Sequence, residues 1–341
     1  MKLWLSLLLC TLGSVEVQAD SGPSALLATD LGLAADARAL RQGRVVARVA
    51  DGADGSEVVT VAAVHVDATA AAFRACAERP SCLLGHDELL GAARVSPASA
   101  DEDLGALQLD PRDRQHLERC RVGKCGVRLS AAAIERFRTE VDWKGRDAAP
   151  QASALFRKTL AEIVRSYAGA GEAGLGTYQD NERGTNVAAA LELLFARPLP
   201  PLSLAPDLRQ PARSLPVSQA SGNDYLCWRQ ERFWMQNLVT LEHVALEQTA
   251  NGTVVVLVKQ LYASHYFDAE LSAFAFEPDP AGGGLLLQMN RASADVRPSG
   301  FTWVERMLVN RLVRGRLVRH LGALRERIDS ARLAEAPHSP S

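Results

Sequence analysis

Lys259, Tyr262, His265 and Asp268 are the densest set of proton-trading groups in this 341-residue chain. Gathered in one cleft, such groups orient a polar head group or act as acid and base. On a regular strand, however, His265 and Asp268 are three apart and point to opposite faces, so a dyad needs a bend between them. Lys259, Tyr262 and His265 are therefore candidates for orienting a ligand, with plain strand and turn residues as the alternative; none is assigned a catalytic role. Trp228 and Trp234, close to Tyr225 and Phe233, can line an apolar pocket. Aromatic strand residues also fill cores, since each buries ~150 to 250 Å². Asn290 closes a strand where a cavity mouth could lie, against the alternative of a solvated edge.

Known catalytic and metal signatures are missing. The chain has no Gly-x-Ser-x-Gly and no His-Glu-x-x-His, and Gly123-Lys124-Cys125 lacks the parts of a phosphate loop. His86-Asp87-Glu88 is a single local triplet that solvent exposure explains. No cofactor and no metal follow from these residues.

Residues 1–19 have the anatomy of a secretory leader: Lys2, the apolar run Leu3 to Leu12, and Val17-Gln18-Ala19 as a small-residue cleavage site. The expectation is export to the periplasm or medium after cleavage near Ala19. Five cysteines follow, in a compartment that permits disulfides. Pro80 lies between Cys76 and Cys82, and Gly123 between Cys120 and Cys125, so the spacing favours these two local bridges and leaves Cys227 free. A zinc site is disfavoured because no Cys-x-x-Cys pair exists.

Residues 20–109 read as strand, turn, strand, helix and strand, with Asp67 or Thr69 capping a helix that Pro80 stops. From 110 to 197 the period is helical: Phe156, Leu160, Ile163, Val164 and Tyr167 share one face. This block reads as an insertion or lid. Residues 198–222 carry six prolines and read as an extended connector. In 223–333, Asn251-Gly252 predicts a hairpin turn flanked by Tyr225 to Glu247 and Thr253 to Tyr262, and Phe267 to Ala275 alternates as a half-buried strand. A single strand from Thr253 to Phe276 would be ~80 Å long, so the chain must bend near Ala263-Ser264-His265. Residues 334–341 read as a disordered tail.

The net charge is −2, which gives no general pull toward nucleic acid, yet 301–333 holds eight arginines against Glu305, Glu326 and Asp329. Val304, Met307, Leu308 and Leu312 form one apolar face of a terminal helix, and Leu317, Leu321, Leu324 and Ile328 another. Gly315 sits between them, where a helix bends or a ligand approaches. Arg311, Arg314 and Arg316 fit a membrane or partner surface, with a solvated face as the alternative.

This order of elements resembles the helix-grip fold of the START-like superfamily, which includes lipid-transfer and polyketide-cyclase-type domains. The matching parts are Val58 to Glu78, the strands of Tyr225 to Asn290 and the helix from about Thr302, roughly half the chain. Lys259 to Asp268 also resembles a segment of exported bacterial proteins, which brings no function with it. The resemblance implies an α+β fold in which a curved antiparallel sheet grips a long C-terminal helix, with the helical block inserted. It further implies a non-catalytic protein that holds a hydrophobic or lipid-like small molecule between sheet and helix. Two alternatives remain: a solid-cored cell-envelope protein that meets a membrane or partner through its basic helix, and an enzyme built around His265.

Overall fold

The computed structural model describes residues 31, 33–52, 57–209, 223–233, 236–294 and 303–335, with the side chains of the last segment described from 310 to 330. The expected leader, Trp234 and the end of the tail lie outside these residues, as do the side chains of Val304, Met307 and Leu308.

The fold is a mixed α+β arrangement around one eight-stranded antiparallel sheet. After a short helix α1 (Ala37–Arg41) come β1 (Val46–Asp51) and β2 (Glu57–Val66). Helix α2 (Ala70–Ala77) is capped by Thr69, whose Oγ1 accepts from the Ala72 amide at 3.2 Å. Pro80 then opens a further short helix, α3 (Pro80–Leu83), at the position where its missing N–H costs nothing. Strand β3 (Leu89–Val95) follows, then α4 (Ala100–Asp103), α5 (Pro111–Arg119), α6 (Ala131–Glu140) and the long α7 (Ala148–Ala170). The two-residue strands β4 (Thr177–Tyr178) and β5 (Thr185–Asn186) lead to α8 (Val187–Phe195). The chain then runs through β6 (Asp224–Phe233), β7 (Gln236–Gln248), β8 (Val254–Ala263), β9 (Phe267–Pro278) and β10 (Gly284–Ala294), and ends in α9 (Trp303–Glu335).

The strand order is β1-β2-β10-β9-β8-β7-β6-β3. The early strand β2 therefore pairs with the last strand β10, and β3 forms the far edge beside β6. Asn251-Gly252 turns the chain as expected, with Gly252 at φ +85°. The predicted bend also occurs: β8 ends at Ala263 and β9 starts at Phe267, with Tyr266 at φ +65° between them.

Both faces of the sheet are covered, which follows from strand periodicity. Val64, Val66, Val244, Leu246, Val254, Val256, Phe274, Phe276 and Leu286 pack against α2, α3 and α9. Their chain neighbours Ala63, Ala245, Val255, Leu257, Leu271, Ala273, Ala275, Leu285 and Leu287 pack against the helical block. Helix α7 supplies Ala152, Phe156, Leu160, Val164 and Tyr167 to that second core. Helix α9 buries Leu317, Leu321, Leu324 and Ile328; each such side chain stabilises by about 1.5 to 3 kcal/mol. Truncating Leu324 to Ala would cost about 2 to 5 kcal/mol.

Three expectations need correction. Residues 198–209 are not an extended connector: two 3-10 turns, Pro200–Ser203 and Pro206–Arg209, tuck Leu202, Ala205 and Leu208 into the core. Tyr225 to Glu247 is not one strand but two, β6 and β7. Strand β9 is not half-solvated, because Glu270 and Ser272 face α9, Asp268 pairs with Arg128, and the small apolar positions face the helical block.

Candidate functional site

Parity along the strands assigns a set of polar side chains to the α9 face. In β6 the residues Tyr225, Cys227, Arg229 and Glu231 alternate onto one side, and in β7 Thr240 and Glu242 match them in register. Gln260 of β8 is paired with Glu242. Glu270 and Ser272 of β9, Gln288 and Asn290 of β10, and Thr60 of β2 complete a band across the sheet. It adjoins the apolar half that α9 covers with Leu317 to Ile328.

The band is densely bonded. Arg229 Nη2 donates to Glu242 Oε1 at 2.7 Å, and Nη1 lies 3.3 Å from Glu231 Oε2. Glu231 is also met by His86 Nε2, and by Arg316 Nη2 of α9 at 3.4 Å. Burial works to raise the Glu231 carboxyl, but Arg229, His86 and Arg316 together hold it down at about 2. Glu242 accepts from Thr240 Oγ1 at 3.0 Å and lies beside Cys227, whose thiol is pushed up by burial and by that carboxylate. His320 of α9 stays neutral, brought down to about 3 by burial and by the nearby His86 and Arg229.

Glu270 is held differently. Asn290 Nδ2 donates to its Oε1 and to Ser272 Oγ, the latter at 2.9 Å, and Ser272 Oγ lies 3.4 Å from Glu270 Oε1. These are neutral partners. Burial raises the Glu270 carboxyl, Arg229 works against the shift, and Glu242 adds to it. Two amides of the same band, Gln260 Nε2 and Gln288 Oε1, are buried with no hydrogen-bond partner. An orphaned buried amide group costs about 1 to 3 kcal/mol.

Of the residues singled out in the sequence, Asn290 belongs to this band. Trp228, Lys259 and Tyr262 lie on the opposite face, among the helical block. Trp228 Nε1 donates to the Asp103 carbonyl at 2.9 Å. Lys259 Nζ is 2.9 Å from Glu172 Oε1 and 4.9 Å from the Tyr167 ring centre. Tyr262 meets Phe156 and Tyr178 edge-on. His265 Nε2 is 2.9 Å from Asp113 Oδ1, and Asp268 pairs with Arg128. The four proton-trading groups thus engage separate residues of the block, and they do not converge on the space between sheet and α9. A buried chain of hydrogen bonds on that same face runs from Asp224 through His243 to the Tyr167 hydroxyl, at 3.3 and 2.8 Å.

Gly315 has open space around it: an added Cβ would meet only Arg319 Nη1, at 3.7 Å, and α9 continues through it. Arg311 and Arg314 are exposed. Arg316 is not, since it pairs with Glu88 Oε2 at 2.9 Å and lies over the Phe233 ring at 4.4 Å. The disulfides Cys76–Cys82 and Cys120–Cys125 are present and Cys227 is free and buried, which is consistent with an exported protein. Among the described residues no group of three or more metal-ligating side chains occurs, and no helix is long and apolar enough to cross a membrane.

The residues missed from the sequence are Arg229, Glu231, Glu242, Gln260, Glu270 and Gln288. Their signal was present as charged and amide side chains at same-parity positions inside strands otherwise rich in Val and Leu.

No family model matches the sequence, and no curated protein matches it. Among solved structures, the chain is similar to a fragment of a STAR-related lipid transfer protein from Xanthomonas axonopodis. The identity is 9% and the TM-score 0.38, over 83% of this chain and 93% of that one. A protein from Thermus thermophilus is similar at 16% identity and a TM-score of 0.27, over 33% of this chain and 70% of that one. At TM-scores this low, neither likeness assigns a function to the chain. The chain itself shows a mixed α+β arrangement with a large antiparallel sheet followed by a C-terminal helix.

Proposed function

We propose that this chain is an exported, non-catalytic binding protein of helix-grip type that holds a hydrophobic or lipid-like small molecule between its sheet and α9. The observation that carries the reading is the composition of the α9 face. An apolar half stands beside a buried polar band in which Gln260 and Gln288 carry unpartnered atoms. A solid core has no use for such atoms, whereas a bound head group completes them. The reading is tested by native mass spectrometry of protein purified without detergent, followed by extraction of bound lipid. A stoichiometric apolar ligand supports it. Protein that is always empty and takes up no fluorescent fatty probe overturns it.

A second reading rests on a separate observation. Arg311, Leu312, Arg314 and Arg319 are all exposed on α9, with Leu312 54% exposed. A basic helix with an apolar residue at its surface suits peripheral contact with an anionic membrane. Flotation with anionic vesicles tests it: binding by the unaltered protein that Arg311→Glu with Arg314→Glu abolishes supports the contact. Absence of binding, or binding indifferent to the change, removes it.

A further inference from the structure

The polar band has an uneven distribution of charge. Glu231 is matched by Arg229, His86 and Arg316, and Glu242 by Arg229 and Thr240. Glu270 receives Asn290 and Ser272, both neutral, and among the described residues no cation lies within ion-pairing distance of it. The two glutamines deepen the asymmetry. Gln260 is 4% exposed and Gln288 is 5% exposed, and both project from strands flanking β9 onto the face that carries Glu270. Gln260 Nε2 has no acceptor and Gln288 Oε1 no donor. Gln260 lies beside Glu270, one step on from the Lys259 and Leu271 pair, whereas Gln288 is opposite Phe274, four residues along β10 from Ala292, the partner of Glu270. What is missing beside Glu270 is therefore a positive charge and an acceptor for Gln260 Nε2. An anionic head group beside Glu270 would instead meet a carboxylate with no paired cation.

We propose that the Glu270 end of the band recognises the head group of an amine-bearing amphiphile. The ammonium donates to Glu270, and an oxygen next to it accepts from Gln260 Nε2. This rests on the small-molecule reading above and adds the ligand's chemical class to it. A charge-assisted hydrogen bond in a water-poor site is worth about twice a neutral one, so charge and not shape sets the preference.

Calorimetric titration of the mature chain with decylamine, decanol and decanoate at neutral pH tests the assignment. Decylamine is expected to bind at least about tenfold more tightly than decanol, with decanoate weakest. In Glu270→Gln the amine should fall to the affinity of the alcohol while the alcohol is unchanged. Equal binding of amine and alcohol, tightest binding of decanoate, or an amine preference that survives Glu270→Gln overturns the assignment and leaves the small-molecule reading standing. Failure of all three to bind removes both. The ranking on the unaltered protein needs no variant, so it decides the matter even where Glu270→Gln does not fold.

Discussion

Arg229 Nη2 lies 2.7 Å from Glu242 Oε1, and the same guanidinium reaches Glu231, so one cation on β6 serves two buried carboxylates. Burial alone would lower the Arg229 pKa, but Glu231 and Glu242 raise it. Removing the cation leaves both acids in a poorly solvated layer. Arg229→Met is expected to destabilise by about 3 to 5 kcal/mol, read as a fall in the urea midpoint without a change of slope. A loss below about 1 kcal/mol would show that the two acids are solvated after all.

Glu270 should behave in the opposite sense. Its carboxyl is raised, chiefly by burial, so the folded state resists its ionisation and stability falls as pH rises above the ordinary carboxyl range. Glu270→Gln keeps an oxygen for Asn290 and removes the charge. The variant should melt about 2 °C higher at neutral pH, with the difference vanishing in acid.

Acid should act through Glu231. Its folded pKa of about 2 lies below the ordinary 4.5, so the stability it contributes is complete above about pH 4.5 and is lost as pH falls toward 2. The window corresponds to about 3 kcal/mol. Denaturant midpoints across this range should fall more steeply for the unaltered protein than for Glu231→Gln.

The two faces of the sheet should separate experimentally. His265→Asn and Lys259→Met break pairs with Asp113 and Glu172 on the helical block, so both should lower the melting temperature. Neither touches the α9 face, and affinity for an amphiphile should stay within about twofold, roughly 0.4 kcal/mol. Altered affinity without lost stability would move the site to the block side.

Non-reducing peptide mapping should show Cys76 joined to Cys82 and Cys120 to Cys125, and Cys227 should alkylate only after unfolding. Each small loop contributes about 2 kcal/mol on the chain-entropy account, so reduction should lower stability without abolishing the fold.

Much of the architecture was legible from local chemistry. Thr69 as a cap, Asn251-Gly252 as a turn, the apolar face of α7 and the two short cysteine loops are decided within a few residues of chain. The site was not legible, for a reason that Tyr262 illustrates. The register shift between Leu241 and Glu242 pairs Leu241 with Tyr262 but Glu242 with Gln260, leaving Leu261 as an extra residue. Gln260 and Tyr262 share parity in the sequence, yet a bulge re-aims one of them. Gln260 faces α9 and Tyr262 faces the helical block.

The sequence by itself determined the elements and their order, because caps, turns and periodicity are short-range properties. Only the tertiary structure decided which side of each strand meets α9. Alternation distinguishes two faces without naming them, and a helical block that covers the second face makes both read as buried. Glu231, Glu242 and Glu270 come from three strands, and the pairing of β6, β7, β8 and β9 brings them onto one surface.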